Sequence, residues 1–294
     1  MNIQNNVVLA PYTTFGIGGP ADFFVVVATL DELKEAIAYA KTNALSYFLL
    51  GTGANILVGD KGFRGLVIKN ETKAYRFDGN ILTAQSGATV ADLIQLSKER
   101  GLSGLEDFAG IVSTVGGALW QNLHFLSSDR SKTAFIADIL QSATVLHENG
   151  ESEEVDASYF QFGYDKSILH ASKDVVLSAT FKLVLKDVEE IQKTIDENIL
   201  WRKEKHPLHA EQCSAGSIFK KIEEFGAGRL IEKVGLKGKQ IGGAQVSTVH
   251  ANFIVNTGGA TAKDVRDLIT LIQAIVKKDL QLDLQPEISF VGEF

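Results

Sequence analysis

Glycines and small polar residues recur in three segments in the first half of the chain. Residues 50–58 hold Gly51 and Gly53 directly after a strand-like apolar run, and residues 15–21 and 110–118 have a similar composition. Glycine lets the backbone turn sharply and brings its amides close to an anion. A single G-x-G is typical of a tight connection between strands. Three such segments together indicate a long phosphate-containing ligand that crosses several backbone turns.

These glycine segments do not match the two best-known phosphate motifs. No Lys-Ser or Lys-Thr pair follows Gly53, so the segment is not a Walker loop. No third glycine opens a long helix after it, so the dinucleotide fingerprint is also excluded.

Apolar patterning predicts the elements that must position these segments. Threonine caps predict three helices, with Thr29, Thr89 and Thr261 each followed three residues later by an acidic residue. Two further helices are predicted at residues 187–202 and 227–234. Apolar runs predict strands at residues 23–28, 47–50, 66–69, 143–146, 175–183, 241–246, 252–255 and 287–291. This alternation predicts an α+β protein with two lobes, divided as residues 1–200 and 201–294.

Composition limits the class of protein. The 294 residues carry a net charge of −7, which argues against a general nucleic-acid binder, and one cysteine permits no internal disulfide. The first ten residues lack a signal-peptide pattern, and no apolar stretch approaches the ~20 residues of a membrane span. We therefore expect a cytoplasmic protein with neither a nucleic-acid nor a membrane partner. The oligomeric state stays open.

A set of motifs runs along the chain in a fixed order. They are residues 14–21, 50–58, 62–65, 114–118 with Asn122, 214–220, 242–247, 250–253 and the pair Pro286-Glu287. In combination, this set resembles the UDP-N-acetylenolpyruvoylglucosamine reductases, in their shorter, second form. The resemblance covers the chain from about Pro11 to Glu293.

The resemblance implies a fold and a reaction. The fold would be a two-lobed FAD-binding fold of the vanillyl-alcohol-oxidase type with a smaller C-terminal α+β substrate domain. FAD would be bound non-covalently and NADPH would donate the hydride. The small-molecule substrate would be UDP-N-acetylglucosamine enolpyruvate, and the product UDP-N-acetylmuramate, a peptidoglycan precursor needed for cell-wall growth and division.

The same resemblance implies two catalytic residues. Hydride arriving at one carbon of the enolpyruvyl double bond leaves negative charge that a positioned hydroxyl can quench, and Ser217 would deliver that proton. Without the resemblance, Ser217 would be interpreted as a serine in a small-residue turn. Glu287 would face the reacting centre and help to manage the enol-like intermediate, whereas most glutamates lie in solvent.

Binding residues also follow from the resemblance. The flavin would contact Gly51, Thr52, Gly53, Ala54, Asn55, Ile56, Thr114, Gly116 and Gly117. The substrate would contact Tyr164, Lys205, Gln245 and Asn252. Lys205 precedes Pro207 at a helix end, where a lysine also complements the helix dipole. No metal site is expected, and His124, His170, His206 and Cys213 are given no role.

Asp165 departs from the family pattern. It stands where the family's Tyr-Arg-x-Ser motif has an arginine that helps to hold the substrate carboxylate. Two carboxylates at close range repel each other. Either another cation takes over, with Lys166 and Arg202 as candidates, or Asp165 points away, or the chemistry has changed.

The segment after Asn122 is the second departure. Family members have a small, glycine-containing stretch there, whereas this chain has Leu123 to Leu126 followed by residues 127–130. Lys221 and Ile222 also replace the usual Asn-Pro. These changes leave two alternatives to the reductase: a flavin oxidoreductase with another substrate, or a catalytically silent flavin- or nucleotide-binding protein.

Overall fold

The computed structural model describes residues 1–127, 132–207, 213–222 and 225–294. The α-helices are α1 (Leu30–Thr42), α2 (Val90–Lys98), α3 (Val115–Gln121), α4 (Val188–Lys205), α5 (Ala227–Lys233) and α6 (Ala262–Leu280). The first strands are β1 (Gln4–Val8), β2 (Pro20–Val27), β3 (Tyr47–Leu50), β4 (Ile56–Val58), β5 (Phe63–Asn70), β6 (Tyr75–Asp78), β7 (Ile81–Gln85), β8 (Leu102–Ser103), β9 (His124–Leu126) and β10 (Thr133–Phe135). The remaining strands are β11 (Leu140–Leu146), β12 (Ser152–Asp156), β13 (Val175–Lys182), β14 (Val184–Leu185), β15 (Cys213–Ser217), β16 (Gln240–Ile241), β17 (Ala244–Val246), β18 (Phe253–Asn256) and β19 (Ser289–Val291).

The N-terminal part begins with a mixed four-stranded sheet in the order β1-β2-β5-β3. Strand β5 pairs in parallel with both β2 and β3, and β1 closes the edge in the antiparallel sense. Helix α1 covers this sheet, with Leu33, Ala36 and Ile37 buried in the shared core. Because the glycine segment at 51–55 leaves the end of β3, the sheet fixes where that segment begins.

A second sheet is antiparallel, in the order β12-β11-β13-β7-β6. Helices α2, α3 and α4 bury apolar side chains against it, including Leu93, Leu119, Ile191 and Ile195. The segment at 110–114 lies between these elements and is tied down by backbone bonds from Val115 N to Ala88 O and from Gly116 N to Ser86 O.

The C-terminal part has its own sheet, in the order β15-β18-β17-β16, and a core with α5 and α6 to which Phe15, Ile17 and Leu57 also belong. Helix α6 buries Val265, Leu268, Ile269 and Ile272, the face expected from its 3.6-residue periodicity. The predicted division at residue 200 falls inside α4, whose buried side chains belong to the N-terminal core.

The last strand returns to the N-terminal part. Strand β19 pairs in parallel with β4, matching Phe290 with Leu57. Asp60 accepts hydrogen bonds from the first two amides of α6, Ala262 N at 2.7 Å and Lys263 N at 2.9 Å. The two parts are therefore joined by the pairing of β19 with β4 and by Asp60, which follows β4 in the chain.

Most predicted elements are confirmed, and one needs correction. Thr29 and Thr261 cap α1 and α6 with complete capping boxes, and Thr89 caps α2. The single strand expected at residues 241–246 is wrong. Gly242, at φ +52°, and Gly243 instead turn the chain between β16 and β17 to form a hairpin. Within the described ranges, no helix is long and apolar enough to cross a membrane.

Candidate active site

A cavity of about 1330 Å³ lies between the two parts. Its wall includes residues 51–56, Thr114, Gly116 and Gly117, so the predicted flavin-binding residues are brought together. It also includes Ser217 and Glu287 from the C-terminal part. Small-molecule pockets usually measure roughly 300–1,000 Å³, so this cavity has room for a large cofactor and a second ligand.

Backbone constraints shape the segment at 51–55. Gly53 has φ +66°, and a Cβ there would lie 2.3 Å from the carbonyl oxygen of Tyr12. A Cβ on Gly51 would lie 2.8 Å from Thr114 Oγ1. Position 53 therefore requires glycine, because of its positive φ and the nearby backbone of Tyr12, and position 51 favours it because the Thr114 side chain lies close. The residues present therefore fit a flavin dinucleotide, whose pyrophosphate needs close-lying amides.

Thr14 joins the N-terminal glycine segment to the serine strand. Its hydroxyl donates a 2.7 Å hydrogen bond to the carbonyl oxygen of Ser214, and Thr14 is buried at the cavity wall. Asn256 donates from Nδ2 to Phe15 O at 3.1 Å. The first glycine segment thus holds β15, and with it Ser217, close to the part of the cavity that is lined by the glycine segments.

Ser217 and Glu287 lie on adjoining backbone segments. Glu287 N donates to the carbonyl oxygen of Ile218, the residue after Ser217, at 2.8 Å. Gly216 has φ +78°, and a register shift in the pairing with β18 accompanies it. This irregularity turns Ser217 to the cavity.

Glu287 is a carboxyl group with an altered acidity. Burial raises its pKa to about 8, the negative charge of Asp165 adds to the rise, and the positive charge of Lys220 opposes it. At neutral pH the group is therefore mostly protonated and can donate a hydrogen bond.

Tyr164 and Lys221 flank the same region. The Lys221 ammonium lies 4.5 Å from the centre of the Tyr164 ring, and both residues line the cavity. Partial burial raises the pKa of Tyr164, helped by the charges of Asp165 and Glu287, so its hydroxyl stays protonated.

Arg202 is a half-buried cation at the cavity wall. Its guanidinium lies 4.7 Å from the centre of the Phe125 ring, and its Nε has no hydrogen-bond partner in the described part of the chain. Burial lowers its pKa to about 10, so it remains charged at neutral pH. A half-buried cation at a cavity wall is suited to an anionic ligand.

The other candidate cation and three predicted substrate residues lie elsewhere. Lys166 and Lys205 are exposed and do not line the cavity. Gln245 donates to Gly238 O and also lies outside the cavity wall. Asn252 is buried and binds the backbone of Phe219, so it holds the serine loop from behind.

Sequence reasoning missed several residues of the wall. Thr14, Phe253 and Lys221 were noticed only as parts of motifs, and Trp120 and His206 had no role assigned. His206 packs between Trp201 and Phe253, and burial lowers its pKa to about 3, so it is neutral. No local pattern marks these residues, because strands and helices distant in sequence bring them to the cavity.

Comparisons with known proteins agree with this geometry. Residues 21–156 match the FAD binding domain family, and residues 206–291 match the family described as UDP-N-acetylenolpyruvoylglucosamine reductase, C-terminal domain. The reductase of Bacillus pumilus is 40% identical over 294 residues, covering 99% of this chain and 94% of that protein. The chain belongs to the UDP-N-acetylenolpyruvoylglucosamine reductase family. The Clostridium novyi reductase is 38% identical over 292 residues, covering 99% and 92% of the two chains.

A solved structure shows the same fold. The reductase of Thermus caldophilus superposes with a TM-score of 0.84 at 35% identity, covering 99% of this chain and all of the other. The predicted fold class, an α+β FAD-binding fold with a smaller C-terminal domain, is confirmed. Within the described ranges, no group of three or more metal-binding side chains was found. Residues 128–130 of the altered loop lie outside the described residues.

Proposed function

We propose that this protein reduces UDP-N-acetylglucosamine enolpyruvate to UDP-N-acetylmuramate, using FAD and NADPH. The observation that carries the proposal is that one cavity is lined by both flavin-type glycine segments and by Ser217 and Glu287. Membership of the reductase family over nearly the whole chain supports the substrate. The flavin, when bound, carries the hydride from NADPH to the substrate.

Residues 51–56 hold the cofactor in this proposal. They line the cavity together with Gly116 and Gly117, and backbone amides of such a glycine segment can donate to a pyrophosphate. Thr114 Oγ1 accepts from Gly117 N at 3.2 Å and caps the short helix that follows. Glycine at positions 51, 53, 116 and 117 leaves no side chain between the backbone and the cofactor, so the cofactor can approach the backbone closely.

Ser217 and Glu287 perform the proton chemistry. Hydride addition to the enolpyruvyl double bond places negative charge on the carbon next to the carboxylate. Ser217 Oγ donates the proton that completes the new C–H bond there. Glu287, neutral at pH 7, donates a hydrogen bond to the enol-like carboxylate and does not repel it.

Arg202 and Tyr164 contact the substrate in this proposal. Arg202 offers a positive charge whose Nε has no partner among the described residues, and the protonated hydroxyl of Tyr164 offers a donor at the cavity wall. Asn252 acts through the serine loop that it holds. Contacts from Lys205 and Gln245 remain predictions, since neither side chain lines the described cavity.

The domain division and the location belong to the proposal as well. We assign residues 1–200 to FAD binding and 201–294 to the substrate domain. A cytoplasmic site of action suits the nucleotide-sugar substrate and the free thiol of Cys213. Formation of this precursor would support cell shape and division. We expect no nucleic-acid or membrane partner.

One observation favours a second candidate function. Asp165 is 1% exposed and lines the cavity, and neither of its carboxylate oxygens has a hydrogen-bond partner among the described residues. A ligand with a hydrogen-bond donor would satisfy this carboxylate better than an anion would. The second candidate is therefore a flavin oxidoreductase with another acceptor.

Anaerobic stopped-flow absorbance tests the proposal. NADPH is expected to bleach the yellow flavin band, and UDP-N-acetylglucosamine enolpyruvate is expected to restore it. In Ser217→Ala the bleaching should remain, while the restoration slows by about 10²–10⁴-fold because the proton donor is lost. Bleaching without restoration in the parent enzyme would favour the second candidate. No bleaching would favour a silent binding protein.

A further inference from the structure

The two places where the sequence departs from its family meet in the fold. His124 belongs to the altered segment after Asn122, and Asp165 occupies the arginine position about forty residues later. His124 Nδ1 lies 3.7 Å from Asp165 Oδ1. Asn122 joins the two segments, because its Nδ2 donates to the carbonyl oxygen of Gly163 at 3.0 Å. The departures therefore form one local arrangement at the cavity wall.

Asp165 requires a partner that the described protein supplies only through His124. Its side chain is 1% exposed, and no residue other than His124 brings a cationic side-chain nitrogen within 4 Å of it in the described part. Neither carboxylate oxygen accepts a hydrogen bond there. A buried carboxylate without a positive charge nearby is strongly unfavourable.

His124 has one nitrogen committed and one available. Nδ1 faces Asp165 and lies 3.3 Å from the carbonyl oxygen of Asn122, so Nδ1 carries a hydrogen. The ring packs on Tyr164, with centres 4.5 Å apart, and on Phe135 at 5.4 Å. Nε2 makes no hydrogen bond among the described residues, while His124 lines the cavity and is 18% exposed. The ring is therefore held in place, with Nε2 unbonded within the described part of the chain.

Other charged groups face this pair. The Tyr164 ring contacts both the His124 ring and the ammonium of Lys221. Glu287 is close enough to Asp165 to respond to its charge. Arg202 packs on Phe125, the next residue of β9, but lies beyond 4 Å from Asp165. Lys166 is exposed and outside the cavity wall.

We propose that His124 and Asp165 together replace the family arginine, with His124 donating from Nε2 to the carboxylate of the enolpyruvyl substrate. This inference rests on the proposed function. Asp165 is a positioning residue: its carboxylate lies beside Nδ1 and so leaves Nε2 of the ring for the ligand. The pair thereby turns a carboxylate that would repel the substrate into support for the group that binds it.

Steady-state kinetics with variants of the pair test this inference. His124→Gln keeps a similar size but cannot carry charge, so KM for the enolpyruvyl substrate should rise about 10–100-fold with a smaller change in kcat. His124→Arg keeps the charge and should hold KM within about threefold of the parent. Asp165→Asn should also raise KM, because it removes the carboxylate that orients the imidazole ring. The double variant His124→Gln/Asp165→Asn should be no worse than the poorer single variant, since the two residues act as a unit.

Matched controls separate this role from a structural one. His147→Gln removes an imidazole that also pairs with two carboxylates, Glu153 and Asp174, but does not line the cavity; KM should not change. Bound flavin, measured by its absorbance, reports folding in each variant. If His124→Gln does not retain flavin, His124→Arg and Asp165→Asn carry the same comparison.

Three results would overturn the inference. The first is an unchanged KM in His124→Gln. The second is an Arg202→Gln variant that raises KM while both His124 variants behave like the parent. The third is a parent enzyme that is reduced by NADPH but does not turn over the enolpyruvyl substrate, which overturns the proposed function as well. The first two results leave that function intact.

Discussion

At the scale of single residues, burial determines the chemistry of Glu287. A glutamate in solvent is ionised at neutral pH, and an ionised group here would face the substrate carboxylate and Asp165. Burial raises its pKa to about 8, so the protonated form predominates at pH 7. The family resemblance implied a catalytic role for Glu287, but the sequence does not indicate its protonation state. That state depends on Asp165 and Lys220, which come from other parts of the chain.

The raised pKa of Glu287 predicts a pH dependence. The neutral carboxyl donates to the enol-like carboxylate, so the rate at which substrate reoxidises the flavin should fall as pH rises through about 8. The fall should approach tenfold per pH unit above that value. Glu287→Gln keeps a donor that does not titrate, so this fall should disappear while the rate stays within about 10²-fold of the parent. The measurement is stopped-flow reoxidation from pH 6 to 9.5 at constant ionic strength.

The Glu287→Gln variant shows whether ionisation of Glu287 or of another group causes the fall in rate at high pH. A fall that persists unchanged in Glu287→Gln would be due to another group and would contradict the role given to Glu287. Flavin absorbance across the pH series serves as the control, because loss of cofactor would also lower the rate.

At the scale of elements, local signals were readable and long-range ones were not. The caps at Thr29 and Thr261 depend on side chains three residues away, so the sequence alone located both helix starts. The hairpin of β16 and β17 was missed because its apolar run is continuous across Gly242 and Gly243. The turn is determined by the left-handed φ of Gly242 and by Ala260, whose backbone would lie 2.5 Å from a Cβ on Gly243.

Asn252 shows an element-level role that differs from the predicted one. It was expected to contact substrate, but its side chain accepts from Phe219 N at 3.0 Å and donates to Phe219 O at 2.9 Å. Ile218 N also donates to the carbonyl oxygen of Asn252 at 2.8 Å. The loop after Ser217 is therefore fastened to the start of β18 by three hydrogen bonds.

Removing this side chain should loosen the serine loop. Asn252→Ala leaves a buried amide and a buried carbonyl of Phe219 without partners, which should lower the free energy of unfolding by about 2–4 kcal/mol. Because Ser217 lies two residues before Phe219, kcat should fall as well. Urea unfolding and steady-state kinetics measure the two effects. Asn149→Ala, in an exposed turn, is the control and should change stability by less than about 0.5 kcal/mol; an equal effect in both variants would contradict the fastening role.

At the scale of the whole molecule, the cavity exists because the last strand, β19, packs against the N-terminal part. Motif order predicted that both parts contribute to one site, but not how they are joined. The parallel pairing of β19 with β4 joins residues more than two hundred positions apart, and no local pattern specifies such a pairing. The bond from Thr14 to Ser214 is equally distant in sequence. These contacts determine the distance between the flavin segments and Ser217.

Substitution of Asp60 tests directly how the two parts are held together. Its carboxylate accepts from the first two amides of α6, where the helix dipole favours negative charge, and Thr261 satisfies the amide of Asp264. Asp60→Ala should therefore lower the free energy of unfolding by about 1–2 kcal/mol and should weaken flavin retention, because the two cavity walls are held less firmly. Urea unfolding followed by flavin fluorescence and by circular dichroism measures both. Asp267→Ala removes only an exposed pair with Lys263 on the same helix and should cost at most about 0.5 kcal/mol. If the two variants lost equal stability and kept equal flavin, Asp60 would be an ordinary surface cap, and the strand pairing of β19 with β4 alone would hold the two parts together.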